Sequence, residues 1–293
     1  MSPITLNEVQ IDEIRKLSEK KRLALGFLRE TPIANDIFTI LDRLGIMLLE
    51  YPIEPEGDRP AFSAAIMYSE ESDKTLTFIG LNTADYYDKQ IFAIAHELYH
   101  YYVKSGTHLS RAEDQENSLL EMKANRFAAE FLLPETVLES IILDEFKVSS
   151  LETIKHKALL RFIARLQCIW WLPYRSLVRR LHEIGAITSA QYAELYTVDE
   201  RDQQGEYNKI GQATNKEVFL KLNQTTKNIG TSPSVVEIII RNFEDNLIDE
   251  DNFAETLTLF DKEPSEFGYD IKVSQDDLDE LDAFFSGEDD DED

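Results

Sequence analysis

The sequence predicts an α+β fold, rich in helix and carrying a small antiparallel sheet. Three observations point there. Strand-like runs cluster between residues 46 and 81, helical periodicity takes over from Asp88, and strands and helices come in blocks rather than in alternation. With 293 residues, 43% apolar and 10% aromatic, the chain can bury a sizeable core and is not disordered throughout.

Thr5 with Glu8 reads as a capping box opening a first helix that ends near Gly26. Thr31 caps a second, Pro32 takes its first turn, and Ile33, Ile37, Ile40, Leu41 and Leu44 form one apolar face. Gly45 ends it. Strands are expected at Ile46–Tyr51, Phe62–Tyr68 and Thr75–Leu81, the last two forming a hairpin around Ser69–Lys74. Helices follow near 86–104, 118–132, 134–144, 151–167, 174–184 and 188–195. The polar stretch 199–212 reads as a linker, and Ser234–Phe243 and Asn252–Phe260 as two short helices. Residues 274–293 form a low-complexity acidic tail, expected to be disordered. In it Leu278, Leu281, Phe284 and Phe285 resemble a segment that turns helical on a partner.

Net charge is −26, which argues against a protein that simply coats nucleic acid. Residues 241–293 hold 21 acidic and 3 basic side chains, whereas Thr153 to His182 contains seven Lys and Arg and no acid. That basic island reads as a helix-turn-helix-like pair (151–185) offering Arg175, Arg179 and Arg180. Overall charge weighs against direct DNA binding and favours a solvated or internally neutralised face. A single cysteine, Cys168, no signal peptide and no apolar run of membrane length give a cytoplasmic expectation, without membrane association.

The chemistry concentrates in QIFAIAHELYHYYV, residues 90–103. His96-Glu97-Leu98-Tyr99-His100 is an HExxH motif. Residues four apart share a helical face, so both imidazoles can reach one zinc ion, with Glu97 placed to take a proton from its water. A catalytic zinc needs a third protein ligand and an open position. Glu121 supplies a candidate on the next helix, with Asn125 one turn on, able to orient a ligand histidine from behind. Ala124 and Ala128 are small enough for the two helices to approach closely. Glu130 is a rival third ligand, but nine residues past Glu121 it should face the other way.

IFAIAHELYHYY followed by ExxANxFAAEFLLP resembles the ImmA/IrrE family of cytoplasmic zinc peptidases, built on a gluzincin (zincin-like) core. Pro173–Gly185 is similar to the family's Ser-x-x-x-Arg-Leu helix. The resemblance implies one Zn2+ per chain on His96, His100 and Glu121, with Glu97 as general base. It also implies a protein substrate, a helix-turn-helix repressor of a mobile element or stress response. Tyr99 replaces the small residue common in the family and is expected to narrow the cleft without touching a ligand.

Candidate oxyanion donors are His108, Tyr174 and His182. Cys168, beside Trp170 and Trp171, reads as core filler. The organisation expected is a zinc metallopeptidase domain over 1–198, a small helical module over 199–273 and the tail over 274–293. The function expected is limited proteolysis of a regulator. The alternative is a zinc-containing module that controls a repressor or toxin by binding alone.

Overall fold

The first helix, α1 (Glu8–Ala24), opens at Asn7 rather than Thr5. The Asn7 side chain accepts from Gln10 N–H while Gln10 Oε1 accepts from Asn7 N–H, a reciprocal cap in which amides replace the expected Thr and Glu. The computed structural model describes residues 5–54, 62–71, 74–104 and 115–269, and the chain divides between Ser232 and Pro233 into two units.

In the first unit a 3-10 turn at Ala34–Asp36 leads into α2 (Ile37–Leu44), which starts later than Thr31 and ends as expected on Gly45 in the left-handed conformation. The strands are β1 (Ile46–Tyr51), β2 (Ala64–Glu71) and β3 (Lys74–Asn82). Then come α3 (Tyr87–Val103), α4 (Gln115–Leu132), α5 (Glu135–Phe146), α6 (His156–Trp170), α7 (Tyr174–Glu183), α8 (Ser189–Tyr196), α9 (Glu206–Leu222) and β4 (Gly230–Thr231). No helix among the described residues is long and apolar enough to cross a membrane.

The sheet runs in the order β2-β3-β1-β4 and is mixed, not wholly antiparallel. β2 and β3 form the expected hairpin, but β1 lies parallel to β3, pairing Leu48 with Ile79. Ile66 of β2 faces Ile79 from the other side. The buried side chains Leu48, Ile79 and Ile66 therefore form one row across three strands, and α3 packs against β2 and β3. Each such side chain contributes ~1.5–3 kcal/mol by burial, and the register is held because a one-residue slip would expose the row.

The boundary expected at 198/199 is not where the chain divides. Residues 199–212 are not a linker, because Arg201 forks onto the buried Asp88 at 2.8 Å and Tyr207 Oη donates to Gln167 Oε1 at 2.8 Å. α9 packs on α6. Further on, Leu48 N–H donates to Ser232 Oγ at 2.9 Å and Thr231 Oγ1 donates to Leu48 O at 2.7 Å, tying β4 to β1. These residues supply partners that buried polar groups of the first unit require.

The second unit contains α10 (Pro233–Glu244), α11 (Glu250–Thr258) and a 3-10 turn at Pro264–Phe267. Phe243 stacks on Phe253 at 4.3 Å, and Tyr269 sits edge-on to both at 5.4 Å. The acidic tail (274–293) lies outside the described residues.

Candidate metal centre

α3 is held by Ile91, Ile94, Ala95 and Leu98, all buried. That anchoring turns His96 and His100, one turn apart, toward α4. Ala124 and Ala128 on α4 are fully buried, so the helices close to the distance at which Glu121 meets both rings. His96 Nε2 lies 3.0 Å from Glu121 Oε2 and His100 Nε2 lies 3.4 Å from Glu121 Oε1. The two Nε2 atoms are 3.2 Å apart.

One donor atom from each of His96, His100 and Glu121 falls within 4.8 Å of the others. The individual separations match the edge of ~3.3 Å expected for a tetrahedron with metal–ligand bonds of ~2 Å. Two imidazoles and a carboxylate are also the donor chemistry of a three-ligand zinc site. The residues fit the ion. Behind them, Asn125 Oδ1 sits 3.1 Å from His96 Nδ1, so the Nδ1 proton is held by the amide and Nε2 keeps its lone pair.

Glu97 is buried, and its Oε2 accepts the backbone N–H of Ile66 at 3.1 Å. Burial raises this carboxyl to about 7, helped by the Glu121 carboxylate and opposed by His96 and the Ile66 N–H. Because Ile66 N–H points at Glu97 and away from β3, the same parity turns the N–H of Ala64 outward and that of Ala65 toward β3. β2 is an edge strand and β3 an interior one.

Residues 41–159 match the family model for the IrrE N-terminal-like domain, Peptidase_M78. The chain carries a domain of the ImmA/IrrE family. The match begins in α2, ends in α6, and includes HExxH and Glu121. It is a peptidase family, so the IrrE-like domain places this cluster in a metallopeptidase context. No curated protein matches the chain.

Other expected residues are engaged elsewhere. Glu130, the rival ligand, receives Arg180 at 2.5 Å and the N–H of Glu135 at 3.0 Å. Tyr174 Oη donates to Leu195 O at 2.9 Å, and His182 Nε2 lies 3.3 Å from Ser189 Oγ with its ring on Tyr192. His108 lies outside the described residues. Tyr99 is not clear of the ligand candidates. It is buried between the helices, edge-on to His100 and 5.6 Å from Phe127. Cys168 is buried, as expected of core filler, and burial pushes its thiol up to about 11.

The basic island is answered by carboxylates of its own unit. Lys157 pairs with Glu206, Arg165 with Glu145 and Arg175 with Glu200. Arg180 is only 1% exposed and cannot reach a phosphate backbone.

One feature escaped the sequence reading. Arg15, Arg126 and Arg180 interlock with Glu130, Glu135 and Glu183, joining α1, α4, α5 and α7. Arg126 and Glu130 stand four apart and Arg180 and Glu183 three apart, the one local signal that could have shown it.

Proposed function

We propose that the protein is a zinc-dependent endopeptidase that makes limited cuts in a cytoplasmic regulator, a helix-turn-helix repressor. The observation that carries this reading is the convergence of His96, His100 and Glu121 beside the carboxylate of Glu97. One Zn2+ per chain on those three residues would supply Lewis acidity for attack on a peptide carbonyl. Glu97 takes a proton from the attacking water and delivers it to the leaving amine. Asn125 keeps His96 in the tautomer that presents Nε2. The outward backbone of β2 next to Glu97 aligns the substrate as an added strand, which fixes the chain without demanding a particular sequence.

The test is incubation of the zinc-loaded protein with candidate helix-turn-helix repressors, read by intact-mass spectrometry. Two new fragments are expected from the native protein and none from Glu97→Gln, with equal zinc in both. An uncut repressor that co-elutes with the protein would replace catalysis with a binding module.

A further inference from the structure

Within the first unit, a cavity of about 430 Å³ lies between the start of α1 and helices α3, α4 and α7. It adjoins the metal cluster. Asn125, which holds His96, is part of its wall. Phe92 stands one helical turn before His96, and Met122 follows Glu121 directly. Phe92 and Asn125 thus bring the wall within about one turn, ~5.4 Å along the helices, of two of the metal-ligand candidates, His96 and Glu121.

The lining has two characters. Leu6, Ile11, Phe92, Met122 and Ala129 make an apolar surface. Arg126, Arg175, Arg179 and Arg180 face it, with Glu183 as the single acid among the described lining residues. Arg126 and Arg180 are already committed to Glu130, Glu135 and Glu183. Arg175 and Arg179 are different, because both are exposed at the pocket. Arg175 pairs with the Glu200 carboxylate at 3.3 Å and leans over the Tyr196 ring, while the Arg179 guanidinium donates to the hydroxyls of Tyr196 and Tyr192. The two hydroxyls hold the Arg179 guanidinium in place, and no carboxylate is among its partners there. The pocket therefore combines an apolar wall with positive charge at fixed positions, which suits an aliphatic stem ending in a carboxylate.

We infer that this pocket is a substrate subsite that takes an acidic side chain close to the scissile bond, with Arg175 and Arg179 as its specificity determinants. The inference rests on the peptidase reading above and adds the substrate class that reading lacks.

The experiment uses the full chain loaded with zinc and short synthetic peptides carrying Glu, Gln or Lys at each position in turn. Each peptide has either an amidated or a free C-terminus. Cleavage is read by mass spectrometry. Binding of the same peptides to the Glu97→Gln protein is read by fluorescence anisotropy, so the subsite is measured without turnover. Glu at one position should be favoured over Lys about tenfold or more in both assays. Arg179→Glu and Arg175→Glu should reverse the preference, and the milder Arg179→Ala and Arg175→Ala should abolish it while thermal melting stays native. Charge-selective binding without any cleavage would sink the peptidase reading and leave the pocket assigned. Equal use of Glu and Lys, a preference unchanged in the arginine variants, or one that follows only the free C-terminus would overturn the subsite.

Discussion

The amide oxygen of Asn125 on α4 lies 3.1 Å from Nδ1 of His96 on α3, so one helix fixes the ring on which the other presents a metal-ligand candidate. Partners of this kind set tautomer and orientation, and their loss typically costs ten- to a hundredfold in metal affinity. Asn125→Ala should weaken zinc binding by about that factor in competition with a chromophoric chelator. Asn125→Asp should retain most of the affinity, since a carboxylate accepts the same proton. Wild-type affinity in Asn125→Ala would show that the amide plays no part in holding the ion.

Ala64 and Ala65 are neighbours on edge strand β2 whose N–H groups point in opposite directions. Proline at position 64 removes a donor that faces outward, and proline at 65 removes one that bonds β3. Ala64→Pro should slow cleavage of a protein substrate while leaving melting temperature and zinc content close to native. Ala65→Pro should lower the melting temperature. Full turnover in Ala64→Pro would mean that substrate does not extend β2.

Arg180 and Glu130 are both nearly fully buried and meet at 2.5 Å. Removing one partner strands the other charge, at a cost of about 3–5 kcal/mol. Arg180→Met should therefore destabilise by roughly that amount in urea titration, and adding Glu130→Met should recover part of the loss. A double variant worse than the single would show that Glu130 has sufficient partners without Arg180.

The same network predicts a pH dependence. Burial would raise the Glu135 carboxyl, but Arg15, Arg180 and Arg126 together hold it below its ordinary value of 4.5. A carboxyl depressed in the folded state contributes stability that is complete above its unfolded value and is lost as pH falls through the folded one. Glu135→Gln should be less stable than wild type at pH 7, and the gap should close below pH ~4.5. A gap constant with pH would exclude Glu135 as the titrating group.

Gly211 in α9 allows the ring of Phe219 to fold back onto it after the kink at Asn215 (φ −156°, ψ 96°). A Cβ there would come within 2.0 Å of the Phe219 ring. Gly211→Ala should cost ~1–3 kcal/mol through overpacking, despite alanine's better helix propensity. Phe219→Leu in the same chain should ease it. An unchanged melting temperature for Gly211→Ala would show that α9 relaxes freely.

Periodicity within single segments was legible in the residues alone. The four-residue step of HExxH places His96 and His100 on one face because a helix turns every 3.6 residues. Gly45 ends α2 because a residue without Cβ enters the left-handed region at no steric cost. Glu121 and Asn125 were legible through the same spacing, supported by the family pattern. Which surfaces meet across long separations was not. Nothing local in Ile46–Tyr51 says that it lies parallel to β3, or that Thr231 and Ser232 return to it across more than 180 residues. Nor does a run of arginines show that Arg180 turns inward onto Glu130, or that Arg175 and Arg179 border a cavity beside the metal cluster. Sequence patterns record what each segment does to itself. Burial and charge pairing are decided only when segments dock, because desolvation of a charge depends on every element packed around it.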